Sequence, residues 1–170
     1  MSRIHVCPLS LVSQTVTSTR AGHLVTLINA ATPVERPAAI LPERHLFLAV
    51  NDIVEPIEGL IPPQAEHVER LLDFVREWDR REPMVIHCFA GISRSTAAAF
   101  IAVCALAENR DEFEVARALR KASACAYPNR LLVRIGDEIL GRKGRMVEAI
   151  ESIGVGVLAE ESLPFSLSVT

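Results

Sequence analysis

Cys88 and Arg94 stand six positions apart in a segment whose residue types could carry out nucleophilic attack on a bound anion. The segment is His87-Cys88-Phe89-Ala90-Gly91-Ile92-Ser93-Arg94-Ser95. A cysteine thiolate is a strong nucleophile, and a guanidinium can hold two oxygens of one phosphate. The spacing alone is weak evidence, because Cys104 and Arg110 repeat it inside a helical pattern that contains no glycine.

The neighbours of the first pair distinguish it from the second. The apolar run Met84–Phe89 predicts a buried strand that ends at the loop, and Arg94–Ala107 predicts a buried helix that begins there. Backbone N–H groups between the two can converge on one anion at the helix N-terminus, and the same groups favour the thiolate form of Cys88. Gly91 permits the backbone angles that such a loop requires. The predicted phosphate-binding residues are Phe89, Ala90, Gly91, Ile92, Ser93 and Arg94.

The residues that flank this loop are predicted to support it. His87 is expected to orient the loop by hydrogen bonding rather than to act as a base, since a histidine at the end of a strand is usually structural. Ser95 has two interpretations of equal standing. Its hydroxyl could donate a hydrogen bond to the sulfur of Cys88, or it could cap the start of the helix.

The segment resembles the His-Cys-x-x-Gly-x-x-Arg-Ser signature of the cysteine-dependent protein tyrosine phosphatase superfamily, in its small dual-specificity-like form. The matching residues are His87, Cys88, Gly91, Arg94 and Ser95. With the flanking elements, the similarity extends from about Leu46 to Asn129. The position of the signature in the middle of the chain disfavours the low-molecular-weight branch and arsenate-reductase-type proteins, which carry their loop near the N-terminus.

The resemblance implies that the chain hydrolyses phosphate monoesters through a cysteinyl-phosphate intermediate, with Cys88 as nucleophile and Arg94 as phosphate clamp. It implies a phosphorylated protein or peptide as substrate, and neither a cofactor nor a metal. The family takes its general acid from an aspartate on a loop a few dozen residues before the signature, which here indicates Asp52. Glu55 and Glu58 on the same loop are rivals, and the alternative for Asp52 is that it only closes a turn.

The remaining pattern predicts the elements that position these residues. Strands are expected at Val25–Asn29, His45–Val50 and Met84–Phe89, with Ile4–Cys7 as an additional edge strand, and helices are expected from Pro63 to Arg80, over Arg94–Ala107, from Asp111 to about Ser123, from Asn129 to Gly141 and over Arg145–Ser152. This order predicts an α/β fold with a mostly parallel central sheet flanked by helices, and the phosphate-binding loop between a central strand and a buried helix. We expect a single phosphatase domain over residues 1–153 and a C-terminal tail over residues 154–170.

Composition narrows the class of protein. A formal charge of −3 disfavours a general binder of nucleic acid or anionic membranes, because both require a basic surface. The sequence predicts no signal peptide and no membrane span, so a cytoplasmic location is expected.

The four cysteines show no metal-binding spacing and are expected to be free thiols, with Cys104 in the core and structural roles favoured for Cys7 and Cys125. The sequence does not define an oligomeric state.

Several functions remain open at this point. The leading one is a protein tyrosine phosphatase, with a possible dual specificity because the chain is short and the pocket is expected to be shallow. A phosphatase for phosphoinositides or another non-protein phosphate monoester is less favoured, since the signature loop contains no lysine. A catalytically weak phosphoprotein-binding module would not need both nucleophile and acid. Sulfur transfer of the rhodanese type would not need the upstream acid or the Arg94-Ser95 pair.

Overall fold

The computed structural model describes residues 2–170 and shows one sheet of five strands. They are β1 (Arg3–Pro8), β2 (His23–Ile28), β3 (His45–Ala49), β4 (Met84–Cys88) and β5 (Phe165–Ser168). Their spatial order is β3-β2-β4-β1-β5. The first four strands run parallel to one another, and β5 runs antiparallel to β1. The predicted α/β fold with a mostly parallel sheet is therefore confirmed, and β4 lies at its centre.

Six helices accompany the sheet within residues 2–170. They are α1 (Val12–Thr19), α2 (Ala65–Glu77), α3 (Arg94–Leu106), α4 (Glu112–Ala122), α5 (Arg130–Ile139) and α6 (Arg145–Ser152), and short 3-10 turns cover Leu9–Leu11 and Pro42–Arg44. The last five helices share the larger hydrophobic core with one face of the sheet, and α1 covers the other face. Successive side chains of β4 point to opposite faces of the sheet, so Ile86 contributes to the larger core and Val85 to the smaller one. None of the helices among residues 2–170 has the length and apolar character that spanning a bilayer would require.

Helix α3 passes through the middle of the larger core, as its apolar sequence predicts. Every residue from Arg94 to Ala105 is buried, and the helix packs against α2, α4 and α5. A helix enclosed on all sides has little freedom to shift, because interior packing leaves few voids. The core thereby fixes the position of the N-terminus of α3 and of the loop that precedes it.

Two elements were absent from the sequence prediction, and two predicted positions were wrong. Helix α1 is built from valine, serine and threonine, which are weak helix formers, and it is held by the burial of Val12 and Val16. Strand β5 pairs with β1, so Ile4–Cys7 belongs to an interior strand rather than to the predicted edge strand. The apolar spacing between Asn129 and Gly141 predicts that Ile139 faces inward, whereas Ile139 is the last residue of α5 and is 38% exposed.

The C-terminal residues take part in the sheet and in the surface around it. The division into a domain over residues 1–153 and a tail over residues 154–170 stays a prediction, and residue 1 lies outside the described residues. Within the predicted tail, β5 forms an edge of the sheet, with Leu167 buried against the larger core. Residues 154–164 run along the protein from the end of α6 to the start of β5.

Candidate active site

The loop between β4 and α3 is held from outside by four backbone hydrogen bonds to its carbonyl groups. The carbonyl oxygens of residues 89, 90, 92 and 93 accept from four N–H groups elsewhere in the chain, at 2.9 to 3.2 Å; the donors are Leu9, Ser162, Tyr127 and Asn129. Within a planar peptide unit the C=O and the following N–H point in opposite directions. The N–H groups of residues 90, 91, 93 and 94 therefore point away from these donors and remain available to an anion.

Cys88 lies at the start of this loop, as the last residue of β4, and lines a cleft that Arg94 also lines. The sulfur is 3.1 Å from Oγ of Ser95. Of the two interpretations of Ser95, this contact favours hydrogen bonding to sulfur. Cys88 itself is only 2% exposed, so the thiol is reached through the cleft alone.

Arg94, the first residue of α3, is buried and only partly satisfied by the protein. One terminal nitrogen donates to the carbonyl of Val50 at 2.9 Å. Its Nε is buried and has no hydrogen-bond partner among residues 2–170. A buried donor without a partner costs roughly 1–3 kcal/mol, so such groups call for an explanation. An anion bound beside Cys88 would supply the missing acceptor.

Asp52 lies on the loop that follows β3 and faces the same cleft as Cys88. Its Oδ1 accepts a hydrogen bond from Oγ of Ser93 at 2.7 Å and another from Nδ2 of Asn129 at 2.9 Å. Neither bond involves Oδ2, which therefore keeps its hydrogen-bonding capacity for a bound molecule. The structure therefore brings the predicted acid and the predicted nucleophile together. Of the two rival residues, Glu55 lines the cleft and Glu58 does not.

Asn129 is a residue of this site that the sequence did not reveal. It was predicted only as a helix cap, and its Oδ1 does cap α5 by accepting from the N–H of Leu132 at 3.0 Å. The same side chain also donates to Asp52 and to the carbonyl of Ile53. Asn129 thus joins the acid-bearing loop to the phosphate-binding loop. No spacing in the sequence indicates this, because the contact spans 77 positions.

His87 is fully buried beneath the loop, and its hydrogen bonds define its tautomer. Its Nδ1 lies 3.1 Å from the carbonyl oxygen of Cys88, which can only accept, so Nδ1 carries the hydrogen. Its Nε2 must then accept from Thr26 at 2.7 Å, and Thr26 in turn accepts from Nε2 of His45 at 2.8 Å. Burial lowers the pKa of His87 to about 4, so the ring is neutral near pH 7. This geometry suits the predicted loop-orienting role better than that of a base.

The other cysteines have surroundings that suit structural roles. Burial raises the pKa of the Cys7 thiol and of the Cys104 thiol to about 12, so both are protonated at neutral pH. Cys104 lies in the core as predicted. Cys125 is half-buried, with its sulfur 3.5 Å from Oγ of Ser123.

Four segments form the walls of the cleft, which has a volume of about 940 Å³. They are residues 52–57, residues 88–90 with 92–94, residues 127–130 and residues 159–160, so of the predicted phosphate-binding residues Gly91 alone does not line the cleft. The described part of the chain contains no group of three or more potential metal-ligating side chains. The groups of this arrangement that can take part in chemistry are the thiol of Cys88, the carboxylate of Asp52 and the guanidinium of Arg94.

Comparisons with known proteins agree with this geometry. The family model described as protein-tyrosine phosphatase matches residues 57–125. The match covers 69 of the 170 residues and includes the loop from Cys88 to Arg94. A search of curated proteins found no match.

Several solved structures share the fold of this chain at low sequence identity. A structure of DUSP15 is 17% identical over 93% of this chain and 94% of that chain, with a TM-score of 0.61. A human tyrosine phosphatase-like serine/threonine/tyrosine-interacting protein is 15% identical over 82% and 92%, with a TM-score of 0.65. PTPMT1 in complex with PI(5)P is 15% identical over 82% and 94%, with a TM-score of 0.61. The predicted resemblance to small dual-specificity-like phosphatases is confirmed, and these identities establish the fold rather than the substrate.

Gly91 provides a test of the loop conformation in this phosphatase fold. Its φ is +72°, and an added Cβ would lie 2.3 Å from Oγ of Ser162 and 2.8 Å from the backbone nitrogen of Pro8. We expect Gly91→Ala to lower the free energy of unfolding by at least about 2 kcal/mol, through backbone strain and overpacking together. Gly59→Ala is the matched control, because Gly59 has φ +79° with no atom within 4 Å of the added Cβ. Chemical denaturation measures both, and equal losses would contradict the crowding at Gly91.

His87 provides a second test, through the dependence of stability on pH. Its pKa is about 4 in the folded protein against 6.5 for an unperturbed histidine, so the unfolded chain binds more protons between these values. Stability should therefore fall as the pH drops from about 6.5 to about 4, by about 3 kcal/mol from this residue. Denaturation of wild type and His87→Gln across this range measures the effect. The variant should be less stable at pH 7 but show a flatter slope, and an unchanged slope would contradict the assignment.

Proposed function

We propose that this protein hydrolyses phosphate monoesters through a covalent cysteinyl-phosphate intermediate, and that its main substrate is phosphotyrosine in a protein or peptide. The observation that carries the proposal is the outward attachment of the loop carbonyls. It leaves four N–H groups and the guanidinium of Arg94 to bind an anion in the cleft that Cys88 also lines. The cleft therefore provides groups that bind the oxygens of a phosphate and also a nucleophile that can attack its phosphorus.

In the first step the Cys88 thiolate attacks phosphorus, so that an S–P bond forms while the P–O bond to the leaving group breaks. The loop N–H groups and Arg94 stabilise the charge on the three remaining oxygens. Asp52 donates a proton to the departing oxygen from its free Oδ2, since Ser93 and Asn129 hold the other oxygen. The product of this step is the dephosphorylated hydroxyl compound.

In the second step water attacks the cysteinyl phosphate, with Asp52 now accepting a proton from that water. The S–P bond breaks, inorganic phosphate forms, and the sulfur leaves with negative charge. The hydroxyl of Ser95, 3.1 Å from the sulfur, donates a hydrogen bond to it as it leaves. Hydrogen bonds to a developing anion lower the barrier for its departure.

The walls of the cleft support an aryl phosphate as the substrate. Phe89 is 54% exposed and Ile57 is 52% exposed, and both line the cleft together with Val54 and Tyr127. A phenyl ring carrying the phosphate would cover part of this apolar surface, which favours binding. Phosphoserine and phosphothreonine lack a ring that would cover this surface, so we expect them to be weaker substrates.

A second candidate is a phosphoinositide, as in the PTPMT1 structure that contains PI(5)P. The rim of the cleft disfavours a substrate with several phosphates. Glu55 and Glu160 line it, and within residues 2–170 neither forms an ion pair. Apart from Arg94, the only cationic side chain lining the cleft in this part of the chain is Arg130, which is paired with Glu151. Like charges repel additional phosphate groups.

The decisive test is hydrolysis of para-nitrophenyl phosphate by wild type and two site variants. Cys88→Ser should lose at least about 1,000-fold in kcat, because a serine hydroxyl is not ionised at neutral pH. Asp52→Asn should lower kcat about 100-fold, with less effect on KM, because the proton donor is lost. Cys125→Ser and Glu58→Gln are matched controls that should retain activity, since neither side chain lines the cleft.

Each alternative function predicts a different outcome in the same assay. Activity that survives in Cys88→Ser would contradict the cysteinyl-phosphate mechanism. Absence of wild-type activity on any aryl phosphate would favour a phosphoprotein-binding module. Faster turnover of PI(5)P in vesicles than of a phosphotyrosine peptide would favour the lipid substrate.

A further inference from the structure

A small cavity lies directly beside the cleft that contains Cys88. It has a volume of about 170 Å³ and shares Tyr127, Pro128 and Arg130 with that cleft. Its other walls come from α6 and the segment after it, including Ile150 and Val155. Pockets that hold a whole small molecule usually measure about 300–1,000 Å³, so this one is large enough for a single side chain only.

The lining of the cavity is apolar and electrically balanced. Ile150 and Val155 contribute apolar walls, and the two charged side chains at the rim, Arg130 and Glu151, form an ion pair with each other. The pair leaves the cavity without net charge. Val155 is 78% exposed, so an occupant would cover apolar surface that otherwise faces water. This chemistry fits an uncharged, apolar group.

The walls of the cavity are fixed before any ligand binds. The guanidinium of Arg120 donates to the carbonyls of Ala124 at 2.7 Å and Gly154 at 3.0 Å, and so ties together the two chain segments that flank the cavity. On the other side, the N–H of Tyr127 binds the carbonyl of Ile92 in the phosphate-binding loop at 2.9 Å. A preformed site binds more tightly because less ordering accompanies binding.

We propose that this cavity is a subsite for one large apolar side chain of a phosphopeptide, close in sequence to its phosphorylated residue. The inference rests on the proposed function, since it assumes that the phosphate occupies the loop above Cys88. Tyr127 and Pro128 form a wall common to the cleft and the cavity, so a peptide can cross it without leaving the surface. The protein would then select substrates by a neighbouring apolar residue as well as by the phosphate.

The test uses a set of phosphotyrosine peptides in an alanine background, with leucine or aspartate placed at each of the three positions on either side of the phosphotyrosine. At one position, leucine should raise kcat/KM about fivefold to tenfold over alanine, and aspartate should lower it, as apolar subsites discriminate by such factors. Val155→Asp should abolish the preference for leucine at that position. The same variant should hydrolyse para-nitrophenyl phosphate like wild type, which also shows that it is folded.

Val157→Asp is the matched control, because Val157 lies two residues further along, is 68% exposed and lines neither the cavity nor the cleft. It should keep the wild-type preference for leucine. Equal effects of the two substitutions would overturn the subsite, since they would reflect only added negative charge. Equal kcat/KM for all peptides, with aryl phosphate hydrolysis intact, would overturn the subsite and leave the proposed function standing. Failure of wild type to hydrolyse aryl phosphate would instead overturn the proposed function and the subsite with it.

Discussion

The site depends on the outward orientation of four carbonyl groups in the loop between β4 and α3. The C=O and the following N–H belong to one planar peptide unit, so hydrogen bonds that fix these carbonyls also fix the N–H groups that point the other way. The four donors come from distant parts of the chain; they are Leu9, Tyr127, Asn129 and Ser162. Because the folded protein already makes these bonds, the geometry of the proposed anion-binding loop does not depend on a bound substrate. Stabilisation of developing charge by such preorganised dipoles needs little further rearrangement during the reaction.

The same constraint explains why both ends of the described chain contribute to the site. Leu9 follows β1, whereas Ser162 precedes β5, and these two strands pair with each other beside β4. Ser162 also occupies the space that a Cβ at Gly91 would need. The C-terminal residues therefore support the loop directly and also complete the cleft beside it. On this account a change in the C-terminal segment can alter the site even though the signature lies far from it in sequence.

The sequence alone predicted the strand, loop and helix around Cys88, but it did not predict the contacts between loops that are distant in the chain. The strand, loop and helix around Cys88 follow from hydrophobic pattern and a single glycine, so their bounds could be predicted almost to the residue. Asp52 was identified because a resemblance supplied its role. Asn129 and Ser162 could not be identified, because their contacts depend on how separate loops meet after folding. Helix α1 was missed for a related reason, since packing rather than intrinsic propensity holds it.

We propose that the sulfur of Cys88 attacks an anion held by this loop. Trapping the covalent intermediate tests this proposal most directly. Wild type and Ser95→Ala are mixed with para-nitrophenyl phosphate, quenched in acid within milliseconds to seconds, digested and analysed by mass spectrometry. The account predicts one phosphoryl group on the peptide that contains Cys88, and more of it in Ser95→Ala, because sulfur then leaves without a hydrogen bond. Turnover without any phosphorylated Cys88, or phosphate found on another residue, would contradict it.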